Sequence, residues 1–279
     1  MKLLEGLVYI SNIEMEEPTA FGGFHLFCVL VVAFLGALLA LRYKDSGECT
    51  FRRLIGAMFI VMLAFELMKQ TLFCMSVEEG RVVYEYNWTD FPFQLCSTPL
   101  YVLPLLAFLP DGRLRDMAAA YTMTYALIGG LSTYIVPSTI FTTSVLRNIQ
   151  TVVHHGIQIV SGVYTASHYR RRMSRRFFLS GVTLFSALYL VANLLNTVGY
   201  KLLVLLGAFE EGYSFNMFYV SPRADQSVPI LNELFDLVSP VVFILLYFVV
   251  LSLGAALIMY AVYKLTQLSD RKSAEVAGK

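Results

Sequence analysis

The dominant pattern along the chain is a series of long apolar segments separated by short polar ones. About 20 consecutive apolar residues in an α-helix cross the hydrocarbon core of a bilayer. Segments of this length predict an all-α protein, a bundle of seven transmembrane helices. The predicted spans cover residues 21–41, 53–76, 91–109, 115–136, 146–168, 177–200 and 234–263. The third span is the shortest and contains Pro99 and Pro104, so it is the least regular of the seven.

Composition and charge agree with a membrane protein and give it an orientation. Only 15% of the 279 residues are charged, whereas soluble domains carry about 25% charged residues. Most of the 21 lysines and arginines lie after the first, third, fifth and seventh predicted spans. Because basic loops stay in the cytoplasm, we predict an N-terminus outside and a C-terminus inside. The net charge of +1 gives no reason to expect nucleic-acid binding.

The predicted spans divide the chain into three parts. Residues 1–20 form an extracytoplasmic segment, residues 21–264 the seven-helix membrane domain, and residues 265–279 a cytoplasmic tail. The longest connection, 201–233, contains aromatic residues and proline instead of the glycine and serine of a flexible linker, which predicts an ordered outer cap loop. The N-terminus lacks the pattern of a cleavable signal peptide. We expect a multi-pass integral membrane protein, in the plasma membrane if the protein is bacterial.

A run of five arginines between residues 170 and 176 has two interpretations. Such clusters at a membrane surface can bind anionic lipid headgroups. The simpler interpretation is that they only set the orientation of the chain.

Polar side chains inside the predicted spans concentrate in the outer half of the bilayer. At 1.5 Å per residue, His25 lies about 6 Å, Cys96 about 7 Å, and His154 and His155 about 12–14 Å below the outer ends of their spans. Intramembrane polar residues usually face a cavity or a partner, so we predict one polar cavity on this side. Further residues predicted to line it are Glu66, Lys69, Gln70, Gln94, Gln158, Asn193 and Asn196.

Two pairs within this set remain open to interpretation. Glu66 and Lys69 lie on one helical face and can pair, either as a structural ion pair or as the floor of the cavity. His154 and His155 both fall on the polar arc of the fifth span. Helical phase therefore does not choose between them.

Cys96 allows three interpretations. It can be a buried small apolar residue, a nucleophile activated by one of the two histidines, or half of a disulfide with Cys74. Pro99, three residues later, frees the carbonyl of Leu95 and predicts a local distortion of the span. Four cysteines without paired spacing give no zinc module or disulfide framework, and we predict neither a metal nor a cofactor.

Several segments resemble the YwaF-like family of bacterial membrane proteins and its eukaryotic relative, transmembrane protein 164. The segment FPFQLCSTPLYVLPL, residues 91–105, is similar to the family's LP-x-HLC segment. The helix with the adjacent histidines resembles the family's histidine-bearing helix. The segment NMFYVSPR, residues 216–223, resembles its element before the last helix, and the GFH that ends at His25 is also similar. The resemblance extends over about residues 21–264 and implies the same seven-span fold.

One position departs from the family pattern. Gln94 stands two residues before Cys96, where the family tends to have histidine. If that histidine takes part in the chemistry, this chain has an altered site.

The resemblance implies a fatty acyltransferase that moves acyl chains between phospholipids without coenzyme A. Cys96 would be the nucleophile, with His155 or His154 as the base. Membrane phospholipids and lysophospholipids would be the substrates. The amide side chains of Gln94, Gln158, Asn193 or Asn196 could donate hydrogen bonds to the oxyanion.

Two other functions fit the same cavity. A transporter would use Glu66 and Lys69 as pathway residues, and a non-catalytic receptor would bind a lipid or small ligand there. A permeation route needs polar groups through the full bilayer or half-helices that meet near its centre, and the inner halves of the spans contain only hydroxyls. The sequence therefore favours the acyltransferase and leaves the oligomeric state open.

Overall fold

The structure, a computed structural model, describes residues 2–137, 140–223 and 229–277, and in these ranges it is a bundle of α-helices with one β-hairpin. The helices are α1 (Lys2–Ser11), α2 (Gly23–Arg42), α3 (Glu48–Thr71), α4 (Pro99–Phe108), α5 (Arg113–Tyr121), α6 (Leu127–Ile135), α7 (Val145–His168), α8 (Arg175–Leu194), α9 (Tyr200–Leu205), α10 (Pro229–Leu237) and α11 (Pro240–Ala277). The hairpin strands are β1 (Met75–Glu78) and β2 (Arg81–Tyr84). Single π-helical turns join α5 to α6 and α8 to α9.

Three helices in the described part of the chain are long and apolar enough to cross a membrane: Gly23–Arg42, Arg175–Leu205 and Pro240–Ser269. In their most apolar windows only 17%, 22% and 17% of the residues are buried, so their apolar side chains face outward, as lipid contact requires. The chain is therefore an integral membrane protein. The seven-span arrangement and the orientation stay predictions, because α3 and α7 carry more polar residues and α4 is much shorter.

A β-hairpin replaces the end of the second predicted span. The helix expected to residue 76 ends at Thr71, and Met75 pairs with Tyr84 across the hairpin. Glu79 and Gly80 form the turn with φ values of 50° and 73°, which is the left-handed geometry of a two-residue hairpin turn. The hairpin marks what we call the hairpin end of the bundle, where α3 ends and α7 begins.

Two prolines begin helices inside the predicted third and seventh spans, so neither span is one continuous helix. Pro99 occupies the first turn of α4, where its missing N–H costs no helical hydrogen bond. The carbonyl of Leu95, predicted to be free, accepts hydrogen bonds from the backbone and the hydroxyl of Thr98, at 3.3 and 2.6 Å. The predicted free carbonyl at Leu95 is therefore not found, whereas the span is interrupted before Pro99 by the 3₁₀ turn Leu95–Ser97. Pro240 likewise begins a new helix, so the predicted span 234–263 is divided between α10 and α11.

The opposite end of the bundle, with Arg42, Arg113 and residues 170–176, is the arginine-rich end. Arg115 is buried there and donates a 2.9 Å hydrogen bond to the carbonyl of Leu106. Its guanidinium also pairs with Asp111 and Glu48. The buried charge is thus neutralised, and it ties the starts of α3 and α5 together.

Helix α7 is central and packs against α2, α3 and α6. Gly130 of α6 faces it closely. A Cβ at this position would lie 2.9 Å from the carbonyl oxygen of His155 and from the Cβ of Gln158. Glycine therefore sets the distance between α6 and the α7 face that carries the histidines.

Replacing Gly130 with alanine is expected to destabilise the protein by about 1–3 kcal/mol, because the added methyl overpacks the α6–α7 contact. The measurement is the thermal unfolding midpoint in detergent. Gly36→Ala in α2 is the matched control, since its Cβ would lie 3.9 Å from the nearest atoms of Val163. Equal midpoints for both variants would contradict the role of Gly130.

Candidate functional site

Cys96 lies in the 3₁₀ turn before α4, and two side chains of α7 hold its backbone. The carbonyl oxygen of Cys96 accepts hydrogen bonds from Nε2 of His154 and from Nε2 of Gln158, both at 2.9 Å. These residues are four apart and share one face of α7. The cysteine is half-buried, and all four cysteines, each in the described ranges, are free thiols. The polar face of α7 therefore fixes the position of Cys96.

Hydrogen-bond partners determine which nitrogen of each histidine carries the proton. A carbonyl only accepts, so neutral His154 carries its hydrogen on Nε2. His155 contacts the carbonyl of Thr151 through Nδ1, at 2.8 Å, and carries its hydrogen there. The bare nitrogen of His154 is Nδ1, which is buried and has no partner among the described residues. The bare nitrogen of the half-buried His155 ring is Nε2, which leaves it able to accept a proton.

A buried ion pair lies near the cysteine. Nζ of Lys69 is 3.0 Å from Oε1 of Glu66, and Glu66 is only 5% exposed. Both residues lie on α3, which packs against α4 and α7. The pair is therefore carried by a helix that contacts the helix after the cysteine turn and the histidine-bearing helix.

Gln70 connects this pair to the loop after the hairpin. Its Nε2 donates to Oε1 of Glu66 and to the carbonyl of Asp90, each at 2.7 Å. Its Oε1 accepts a 2.8 Å hydrogen bond from the hydroxyl of Tyr86. Burial raises the pKa of Tyr86 to about 12, so the hydroxyl stays a donor at neutral pH. Gln70 thus orients Glu66 from the hairpin end.

Gln94 and Asn196 hold the loop that follows α9. Gln94 donates to the carbonyl of Asn216 at 2.9 Å and accepts from the amide of Phe218 at 3.0 Å. Asn196 exchanges two hydrogen bonds with the backbone of Met217, at 2.9 and 2.7 Å. Phe218 has a φ of 58°, which a bulky residue adopts only where its surroundings hold it. In this structure both amides therefore shape the loop, and their proposed contact with an oxyanion stays a prediction.

His25 and Asn193 have partners outside the cysteine cluster. Nδ1 of His25 accepts a 3.0 Å hydrogen bond from the amide of Phe21, and its ring packs 5.7 Å from the ring of Phe141. Nε2 of His25 is buried and has no partner in the described part of the chain. Asn193 donates to the carbonyl of Tyr189 on its own helix, at 2.8 Å. These hydrogen bonds do not connect either residue to Cys96.

An apolar groove of about 420 Å³ lies between α2, α3, α6 and α7. It extends along α2 from Phe27 to Leu39, which is about 18 Å of helix. On α7 it is lined by Val152, Val153 and Gly156, the neighbours of the histidine pair. The sequence prediction missed this groove because its residues look like ordinary lipid-facing positions. Its length and carbon-rich lining suit a hydrocarbon chain.

The residues of the cluster do not form a metal site. Within the described ranges, no group of three histidine, cysteine, aspartate or glutamate side chains is placed to hold a metal ion. The groups present are a thiol, two imidazoles, an ion pair and several amides. Thiols and imidazoles are groups that nucleophilic attack and proton transfer can use.

Fold and site together define a helical membrane protein in which a histidine-bearing helix holds the backbone of a cysteine turn. A family model, the TMEM164 family, matches residues 20–262. The chain belongs to the TMEM164 family. Comparisons with curated proteins and with solved structures found no match. The match agrees with the resemblance to transmembrane protein 164, and the likeness to YwaF-like proteins stays a prediction.

Replacing Gln94 with alanine is expected to loosen the loop at residues 213–220, because both of its hydrogen bonds to the loop backbone are lost. Amide hydrogen exchange should rise several-fold there. Asn193→Ala is the control, since its hydrogen bond stays within one helix. Unchanged exchange in Gln94→Ala would show that Gln94 does not hold the loop.

Proposed function

We propose that the protein is a membrane-embedded acyltransferase that transfers a fatty acyl chain between phospholipids through Cys96. The proposal rests on the two hydrogen bonds that His154 and Gln158 of α7 donate to the backbone carbonyl of Cys96. His154 holds the backbone of a half-buried cysteine, and the adjacent His155 keeps a bare nitrogen. A thiol and an imidazole base are the groups that nucleophilic catalysis by cysteine requires. Membership of the TMEM164 family supports the same chemistry by analogy.

In the first half-reaction, Nε2 of His155 accepts the proton of the Cys96 thiol. The sulfur attacks the carbonyl carbon of a phospholipid ester and forms a tetrahedral oxyanion. The carbon–oxygen bond then breaks, and the lysophospholipid leaves as an alcohol with the proton that His155 returns. The product is an acyl thioester on Cys96.

The second half-reaction reverses these steps with a different alcohol. His155 removes a proton from the hydroxyl of an acceptor lysophospholipid, whose oxygen attacks the thioester carbonyl. The carbon–sulfur bond breaks, and the thiolate takes the proton back from His155. Acyl chain and proton balance over the cycle, so no coenzyme A and no external oxidant or reductant is needed.

Two further features support a lipid substrate. The predicted depth of Cys96, about 7 Å into the bilayer, suits an ester just below the headgroups. The apolar groove between α2 and α7 offers space for the chain on the same segment of α7 that carries the histidines. The His154 and Gln158 side chains already hold the cysteine carbonyl, so the turn is fixed before a substrate arrives.

The test is acyl transfer by purified protein from phosphatidylcholine with a labelled acyl chain to lysophosphatidylethanolamine. We expect the wild type to produce labelled phosphatidylethanolamine and Cys96→Ser to produce none above background. Cys49→Ala, which changes an exposed cysteine at the arginine-rich end, is the control and should retain activity. Equal transfer by Cys96→Ser would show that Cys96 is not the nucleophile and would contradict the proposal. No transfer by the wild type over several donors would also contradict it, and would favour a non-catalytic lipid-binding protein.

A further inference from the structure

A large pocket of about 920 Å³ opens at the arginine-rich end, far from Cys96 along the bundle axis. It lies between the beginnings of α5 and α8. Four arginines and one aspartate line it, so its charge is strongly positive: Arg113, Arg172, Arg175, Arg176 and Asp116. We call it the arginine pocket.

Three of these arginines lack a counter-ion within the described ranges. Arg172 pairs with Asp116 at 3.1 Å, whereas Arg113, Arg175 and Arg176 form no ion pair with any described side chain. The neighbouring Arg170 differs, because it pairs with Asp45 and its guanidinium lowers the pKa of that carboxyl. The positive charge of the pocket is therefore not neutralised by the part of the protein that the structure describes.

Two helix N-termini add to the positive potential. Gly112 and Arg113 begin α5, and Ser174 and Arg175 begin α8, and all four line the pocket. The first-turn amides of a helix have no internal acceptor, and the helix dipole favours an anion at this end. The two helices run in the same direction, so both dipoles favour an anion at the same place.

The pocket also lies at the start of a membrane-crossing helix. Arg175 is the first residue of the candidate span Arg175–Leu205, and Leu179, one turn further, is 47% exposed and lines the same pocket. Charged groups thus give way to apolar surface within one turn. This is the arrangement expected where a lipid headgroup meets its acyl chains.

We propose that the arginine pocket binds the phosphate group of an anionic phospholipid. The site is independent of Cys96 and does not rest on the acyltransfer reaction. The guanidinium groups of Arg113, Arg175 and Arg176 would hold the phosphate oxygens, which arginine does with paired hydrogen bonds. The headgroup phosphate would provide the counter-charge that the described residues do not.

Arginine-selective labelling with phenylglyoxal tests the site residue by residue. The full-length protein is placed in nanodiscs of phosphatidylcholine alone, of phosphatidylcholine with phosphatidic acid, or of phosphatidylcholine with added inorganic phosphate. We expect phosphatidic acid to slow the labelling of Arg175 and Arg176 by roughly tenfold, with Arg53, exposed and outside the pocket, as the internal control. If inorganic phosphate slowed the labelling and phosphatidic acid did not, the ligand would be a free phosphate. This result would overturn the lipid assignment.

A pair of variants tests the same site by a second measurement, the phospholipid that copurifies with the protein. After purification, the Arg175→Gln/Arg176→Gln protein should carry roughly one tenth of the phosphatidic acid that the wild type carries. Arg42→Gln/Arg53→Gln removes the same charge from the same end outside the pocket and should retain nearly as much lipid as the wild type. Equal loss in both variants, or equal protection of all arginines, would reduce the effect to general surface charge and overturn the site.

Discussion

Replacing His155 with glutamine is expected to slow acyl transfer by about a hundredfold to ten-thousandfold, the usual contribution of a general base. The reason is the position of its proton. His155 donates through Nδ1 to the carbonyl of Thr151, so its Nε2 is bare and able to accept the thiol proton. Initial rates of acyl transfer, measured with equal amounts of folded protein, test the expectation.

His154→Gln is the matched control for this experiment. His154 holds the carbonyl of Cys96 by a donated hydrogen bond of 2.9 Å, and a glutamine amide can also donate one. We therefore expect a loss smaller than that of His155→Gln. If acyl transfer were slower in His154→Gln than in His155→Gln, the assignment of His155 as the base would be wrong.

Replacing Lys69 with methionine is expected to destabilise the protein by roughly 3–5 kcal/mol, because it leaves the buried Glu66 carboxylate without its cation. Both side chains are well shielded, at 14% and 6% exposed, so solvent does little to compensate. The measurement is the loss of thermal or denaturant stability in detergent.

A double variant separates this cause from a general packing defect. Glu66→Gln/Lys69→Met removes both charges, and it should recover most of the lost stability since no unpaired charge remains. An equally unstable double variant would show that the ion pair is not the source of the effect. Lost packing by the lysine stem would then explain the lower stability.

Much of the helical fold could be predicted from hydropathy alone. The helix expected over residues 21–41 is found at Gly23–Arg42, and the one expected over 146–168 at Val145–His168. The hairpin was missed because its strands span only four residues each and follow directly on a helix. The helix starts at Pro99 and Pro240 were missed because a proline can either break a helix or begin one. Local sequence does not distinguish these two cases.

The site was less predictable than the fold. Periodicity placed His154 and His155 on one arc of α7, but only the three-dimensional hydrogen bonds show that one holds the Cys96 carbonyl while the other keeps a bare nitrogen. Gln94 and Asn196 look like cavity residues in sequence. Their partners lie 122 and 21 residues away in the chain, and such contacts follow from tertiary packing alone.

The arrangement of α7 relates the fold to the proposed reaction. One face of this helix fixes the cysteine turn through His154 and Gln158, and the neighbouring face lines the apolar groove. Glycine at position 130 lets α6 approach the same segment closely. A rigid, closely packed helix is a suitable support for a site whose groups must hold their positions to within a fraction of an ångström.

The most direct test of the central claim is to look for the acyl chain on Cys96 itself. Purified protein is incubated with a phospholipid that carries a heavy-isotope acyl chain, without an acceptor, and then analysed by intact and peptide mass spectrometry. We expect the mass of one acyl group on the peptide that contains Cys96, removable by hydroxylamine and absent in Cys96→Ser. Acylation at another residue, or an unmodified Cys96 in protein that still transfers acyl chains, would contradict a thioester mechanism.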